Sequence, residues 1–152
     1  MDFEIVEATK EDAKDILALT KICGKETNYL SYGSEGIGLS LEQEMAFLDN
    51  VAHSLKDVFY VVKMKDEIVG MGSYTTFSSP RMSHRGEIGL CIRQSAWHLG
   101  IGHALMDRFL TLLKIRQNAA VKIINFFSPP FPLINTIYSK KPRETYRISR
   151  FL

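Results

Sequence analysis

The stretch EIGLCIRQSAWHLGIGHALMDRFLTLL, residues 87–113, decides how this chain folds. Glu87 to Arg93 has the apolar character of a buried strand. Five residues after Ile92 comes Trp97-His98-Leu99-Gly100-Ile101-Gly102-His103, and a helical pattern follows at once. Ile101, Leu105, Phe109, Leu112 and Leu113 share one face, while Asp107, Arg108, Lys114 and Arg116 face away, which predicts a helix over 102–118. A strand, a glycine turn and a helix N-terminus together make an anion site. The first helix amides have no internal partner, and the helix dipole is positive there. Gly100 and Gly102 carry no Cβ to hold a phosphate away from the backbone, so a pyrophosphate fits this chemistry. Gly-x-Gly alone is a weak signal and occurs here at 36/38, 70/72 and 100/102. Only the last joins a strand to a patterned helix. It is not a dinucleotide-binding fingerprint, because the third glycine would fall at Leu105, and no Gly-Lys-Ser/Thr follows to make a P-loop.

Working outward, Phe3 to Ala8 alternates as a strand. Thr9 then starts a helix whose stripe is Ala13, Ile16, Leu17, Thr20 and Cys23, with Gly24 as its stop. Residues 27–39 are rich in Gly and Ser and read as a loop. Ser40 and Gln43 form a capping box, and Leu41, Met45, Leu48, Ala52 and Leu55 make the apolar stripe of a second helix. Val58–Met64 and Ile68–Phe77 form a hairpin about a polar turn, and 78–81 breaks it. Val121–Phe127 has the unbroken apolar end of a buried parallel strand. Beyond Ser128, Leu133–Lys140 reads as a short helix and Thr145–Leu152 as a terminal strand. The expected order is β α α β β β α β α β, a mixed α/β sheet with an antiparallel meander in its middle.

The 152 residues suit one domain, 1–152, with an atypical C-terminal segment, 128–152. Apolar residues at 45% and charged residues at 24% argue against general disorder. The N-terminal residues lack the pattern of a signal peptide, and no apolar run approaches a membrane span, so a cytoplasmic protein without membrane association is expected. Cys23 and Cys91 have no zinc-ligand spacing and read as buried reduced thiols, and no metal is expected. The net charge of +2 conceals a division. Residues 1–107 carry 10 basic and 16 acidic side chains, whereas residues 108–152 carry 9 and 1. The basic residues of the second part are interspersed with apolar ones and form no nucleic-acid motif, so no nucleic-acid partner is expected.

GLCI, a spacer, WHLGIGHALM and a long amphipathic helix resemble motif A of the GNAT superfamily of acyl-CoA-dependent N-acetyltransferases. Trp97 stands where that motif usually has Gln or Arg. The element order from Phe3 to Phe127 also resembles the family, over about four-fifths of the chain. The resemblance implies a mostly antiparallel sheet flanked by helices, splayed at the motif A strand. Acetyl-CoA would enter between the strands of 87–93 and 121–127. Main-chain groups of Leu90, Cys91 and Ile92 would pair with the pantetheine arm. Trp97 and the amides of His98, Leu99, Gly100, Ile101, Gly102 and His103 would surround the pyrophosphate. Arg108, Lys114, Lys140 and Lys141 would attract the anionic cofactor.

The chemistry needs few groups. An amine that has lost a proton attacks the thioester carbonyl, and a main-chain N–H near Leu90 or Ile92 would hold the oxyanion. Glu87, at the start of the splayed strand, is the candidate base, with His84 as its rival. In the family ending, an Asn, a Leu-Tyr-x-Lys segment and a Gly-Phe pair follow the fifth strand. Here Ile137-Tyr138-Ser139-Lys140 resembles the middle part and makes Tyr138 the candidate general acid. Pro132 stands near the Asn position, Asn135 is displaced, and no Gly-Phe pair follows. A divergent ending and a change of reading frame after about Phe126 both fit this departure. The expected function is transfer of an acetyl group to a primary amine in a ternary complex. The alternative is a CoA-binding or interaction module with little turnover. The acceptor stays open between a small molecule, a peptide N-terminus and a protein lysine, with Tyr29, Tyr32 and Glu35 as candidate wall residues, and a homodimer stays open too.

Overall fold

A computed structural model describes residues 2–26, 32–76, 85–116, 120–127, 137–138 and 147–148. Strand β1 (Glu4–Glu7) leads through a 3-10 turn at Lys10–Asp12 into helix α1 (Ala13–Glu26), and α2 (Leu41–Ala52) follows. Strands β2 (Val58–Met64), β3 (Glu67–Thr76) and β4 (Arg85–Ile92) come next, then α3 (Ile101–Arg116) and β5 (Ala120–Phe127). Two-residue strands β6 (Ile137–Tyr138) and β7 (Arg147–Ile148) complete the described elements. Among the described residues the strands form one sheet in chain order, antiparallel throughout except for the β4–β5 pair. The β2–β3 turn puts Lys65 and Asp66 at φ of 50° and 66°, as the twist of a two-residue hairpin turn requires.

Period-two alternation gives the sheet two distinct faces. One carries Tyr60, Val62, Tyr74, Ile88, Leu90 and Ile92 against Ile101, Leu105, Phe109 and Leu113 of α3. The other carries Phe59, Val61, Ile68 and Cys91 against Ile16, Leu19 and Cys23 of α1 and Leu48 and Val51 of α2. Gly72 faces α3 and makes that packing close, since a Cβ there would lie 2.6 Å from Leu90 Cδ2 and 2.8 Å from Phe109 Cε2.

Several expectations are corrected. Helix α1 runs past Gly24 to Glu26, and Gly24 is buried so close to the Gly33 carbonyl that a Cβ would overlap it. Its start is held by the Asp12 carboxylate, which accepts from the Thr9 amide at 3.0 Å and pairs with Lys63 Nζ at 3.0 Å. Helix α2 has the expected capping box, with Gln43 N donating to Ser40 Oγ at 3.2 Å and Ser40 N to Gln43 Oε1 at 2.9 Å. Its buried face is rotated, however. Glu44, Leu48 and Val51 are buried, while Leu41, Met45 and Leu55 are exposed. Within the helix expected over Leu133–Lys140, Ile137–Tyr138 is a strand, because it pairs with the edge of β5; the rest of that segment lies outside the described residues. The expected splay of β4 from β5 is confined to a register shift between Gly89 and Leu90, opposite Asn125. Pairing continues past it at Leu90↔Phe126 and Cys91↔Phe127. An extra residue on one strand kinks a ladder locally without opening it. Ile92 lies beyond the last β5 pair.

Candidate active site

Strand β4 delivers the chain to the start of α3 through a tight connection. Ala96 N donates to the Arg93 carbonyl at 3.0 Å, and Trp97 N to that of Gln94 at 3.1 Å, closing a 3-10 turn over Gln94–Ala96. The Trp97 indole Nε1 then donates to the Ile92 carbonyl at 2.8 Å, tying the turn back onto the strand end. His98 at φ 63° and Gly100 at φ 83° make the reversal. A side chain is strained at such angles, and glycine is not. Space beside Gly100 is open, with nothing within 4 Å of a Cβ built there. The first bond of α3 runs from Ala104 N to the Gly100 carbonyl at 3.0 Å, so the amides of its first turn project from the helix end, where the dipole favours an anion. His98, Gly100 and His103 are exposed, and Ile101 and Gly102 are buried against the α3 side of the sheet. Trp97 to His103 are thus brought together at one helix N-terminus.

A cavity of about 240 Å³ opens on the other side of the sheet. Gly89, Leu90 and Cys91 of β4 form one wall, with Met71 and Ser73 of β3 beside them. Phe59, Ile16, Tyr32, Ile37, Leu39, Phe47 and Glu44 complete the lining. Tyr32 therefore lines the cavity. Its hydroxyl bonds with the Cys91 thiol, and burial, followed by the nearby Cys91 and Cys23 thiols, pushes its acidity well below that of a free phenol. The Cys91 thiol is itself pushed up, first by its hydrogen bond with Cys23 and then by burial. Both cysteines are free and buried in one core cluster.

Glu35 is not part of this cavity. It is exposed, and the Gly33 amide, donating to its Oε1 at 2.9 Å, holds its carboxyl below the usual range. Glu87 is half-buried on the Cys91–Gly89 face of β4, one same-face step beyond Gly89, opposite Thr75 of β3. Tyr138 is not brought to this place. It pairs with Ala120, which pairs with Arg85 at the other end of β4. At about 3.3 Å per residue and 4.8 Å per strand, its backbone lies on the order of 20 Å from Leu90. Arg108 is occupied at the α3 face of the sheet, donating to the Ile5 carbonyl at 3.2 Å and lying over the Tyr60 ring. Tyr29, His84, Lys140 and Lys141 fall outside the described residues, as does the side chain of Lys114.

Sequence reasoning missed Glu44. It is 1% exposed, and burial raises its carboxyl pKa above the ordinary 4.5. The signal was present as an acid four residues before Leu48 and seven before Val51, on the stripe that proves to be the buried one.

A family profile described as the Acetyltransferase (GNAT) family matches residues 29–127. The chain belongs to the GNAT acetyltransferase family. The match ends at the last residue of β5, where the sequence departs from the expected family ending. No curated protein matches the sequence. Among solved structures, a GNAT-family acetyltransferase from Streptococcus pneumoniae is 23% identical with a TM-score of 0.76, over 80% of this chain and 74% of that one. An N-acetyltransferase from Staphylococcus aureus Mu50 is 18% identical with a TM-score of 0.69, over 81% and 73%. The PaiA N-acetyltransferase from Thermoplasma acidophilum, a complex with coenzyme A, is 17% identical with a TM-score of 0.68, over 81% and 79%. These likenesses show the GNAT fold. Among the described residues no three His, Cys, Asp or Glu side chains are grouped to hold a metal ion, and no helix is long and apolar enough to cross a membrane.

Proposed function

We propose that this GNAT protein transfers an acetyl group from acetyl-CoA to a primary amine in a ternary complex. One observation carries the reading. The same strand segment, Gly89–Cys91, walls a cavity on one face of the sheet and runs directly into the glycine turn and N-terminus of α3. A pyrophosphate at Trp97–His103 would leave an extended pantetheine arm free to reach back along β4 toward that wall. The coenzyme A complex of the Thermoplasma relative supports the choice of cofactor.

The residues present fit the acyl donor by their chemistry: a positive helix end for phosphate, the β4 backbone at Ile92 beyond the last β5 pair for an amide group, and an apolar wall for the acetyl group. The acceptor enters as an ammonium ion and gives one proton to a base, for which Glu87 is the nearest same-face carboxylate along β4. The neutral amine nitrogen then bonds to the thioester carbonyl carbon, and its oxyanion is met by a main-chain N–H near Leu90 or Ile92. The C–S bond breaks, the sulfur takes up a proton, and the nitrogen sheds its second. Amide, thiol and one released proton balance the step. Tyr32 stands at the Cys91 wall and Tyr138 does not, but Tyr32 is bonded to the Cys91 thiol and burial weakens it as an acid, so water supplies the proton to sulfur.

The test is release of free thiol from acetyl-CoA with a panel of amines. A protein that binds CoA yet releases no thiol above background with any amine refutes transfer. That result would favour a CoA-binding module, a reading supported by the loss of the family pattern after Phe127 and by the remote position of Tyr138.

A further inference from the structure

We infer that the cavity on the α1/α2 face takes a small monoamine with an apolar body, of the arylalkylamine class, and that Glu44 receives its ammonium group. The inference deepens the acetyl-transfer reading and rests on it for what happens to the amine afterwards. The ligand class itself comes from the cavity.

Glu44 is the first observation. Its side chain lines the cavity and is 1% exposed, and among the described residues its Oε2 has no hydrogen-bond partner. A carboxylate oxygen taken out of water without a partner is expensive, and a bound cation is one of the ways such a cost is met. Helix capping does not account for it. The α2 terminus is already served by Ser40 and Gln43, and the Glu44 amide donates to the Ser40 carbonyl at 3.0 Å. The carboxylate is left for something that enters the cavity.

The rest of the lining sets the shape and charge of that visitor. Among the described residues it holds no Lys, Arg or His, so a carboxylate or phosphate on the substrate would be buried there without a counterion. The described lining offers one acid, which suits one cation; the second ammonium of a polyamine would lie against Ile37, Leu39, Phe47 or Met71. Peptide groups are poorly served as well. The remaining polar side chains among the described residues are Ser73 and Tyr32, and Tyr32 is engaged with Cys91. An aromatic or branched alkyl body fits these walls, and Phe47 at 37% exposed is available to pack on it. Because Glu44 and Gly89–Cys91 line one cavity, an amine held by the carboxylate shares that cavity with the wall assigned to the acetyl group.

The experiment is calorimetric titration of the full chain, with CoA present, using 2-phenylethylamine at about pH 8, where an alkylammonium keeps its proton. 2-Phenylethanol, phenylacetate and spermidine serve as comparisons. The amine is expected to bind at least about tenfold more tightly than the isosteric alcohol, the scale of a charge-assisted hydrogen bond. Phenylacetate and spermidine are expected to bind more weakly still. Glu44→Gln should remove the preference for amine over alcohol, and Glu44→Asp should restore part of it. Phe47→Ala, at the exposed end of the lining, should narrow the difference between 2-phenylethylamine and ethylamine and so tests the apolar arm independently. Unchanged amine affinity in a folded Glu44→Gln variant overturns the inference, as does spermidine or the alcohol binding as tightly as the amine. Thiol release is read separately. Selective binding of the amine without release refutes acetyl transfer but keeps the ligand class. Release with spermidine alone keeps acetyl transfer and overturns the ligand class.

Discussion

Glu44 sets a pH dependence that can be measured without any substrate. Burial raises its pKa in the fold above the ordinary 4.5. A carboxyl with a raised folded pKa adds its full stability below the unfolded value and loses it as pH rises through the folded one. Among the described residues the other titratable groups of the cavity lining, Tyr32 and Cys91, are both pushed up and stay protonated near neutrality. Asp12, in the turn that packs on α2, is held by Lys63. Melting of the wild type should therefore fall relative to Glu44→Gln as pH climbs from about 4.5 toward 8. Each kcal/mol of difference would appear as roughly 2–4 °C in a chain of this size. Parallel melting curves for the two proteins across that window would show that the carboxyl is not desolvated in solution. A second residue-scale prediction concerns the proton returned to sulfur. Because burial weakens Tyr32 as an acid, Tyr32→Phe should lower kcat by less than about tenfold, below the range of proton-transfer contributions. Tyr138→Phe should leave kcat unchanged, since its backbone is on the order of 20 Å from Leu90. A large loss of kcat in Tyr138→Phe, read as thiol release at saturating amine, would restore Tyr138 to the site.

At the scale of elements, the β4–α3 connection depends on one glycine and the α3 packing on another. Gly100 sits at φ 83° with open space beside it, so alanine there meets backbone strain and no clash. Gly100→Ala should cost about 1–2 kcal/mol and weaken CoA binding, as followed by denaturant melts and CoA titration. Gly72→Ala meets no such angle but collides with Leu90 and Phe109. An overpacking cost of about 1–3 kcal/mol is expected, and an unchanged melting midpoint would mean that α3 packs less closely than described. Motif A was legible before any coordinates because a strand pattern, two glycines and a helical stripe all agreed at one place. Helix α2 was legible as a helix, from its capping box and periodicity, but its orientation was not. Leu41, Met45, Leu48, Ala52 and Leu55 make a good stripe on paper, yet Leu55 is 91% exposed. Two stripes competed, and the winning one contains an acid. Hydrophobic periodicity therefore discards the stripe that carries the candidate ligand group, because a buried charge at a functional cavity breaks the rule that pattern reading relies on. The β6 segment failed for a different reason. Its pairing with the β5 edge is a long-range choice, and two residues contain no periodicity to announce it.

For the molecule as a whole, the two-faced sheet separates the work. The helix end assigned to the cofactor packs with the α3 core, and the cavity assigned to the acceptor lies against the α1/α2 core; among the described residues they meet along β4 and where Glu26 of α1 accepts from the Gln94 amide at 2.6 Å. Sites built on different cores and sharing one strand should respond almost independently to substitutions placed far from that strand. CoA at a hundredfold excess over its dissociation constant adds about 2.7 kcal/mol of stability, equivalent to roughly 5–11 °C in the melting midpoint. Glu44→Gln should leave that shift intact while abolishing the preference for 2-phenylethylamine over 2-phenylethanol. Gly100→Ala should reduce the CoA shift while leaving the preference for the amine intact. The double variant should show the sum of the two effects within about 0.5 kcal/mol. If each substitution instead damaged both ligands equally, the strand would be transmitting strain between the faces, and the division of the sheet into a cofactor side and an acceptor side would have to be given up.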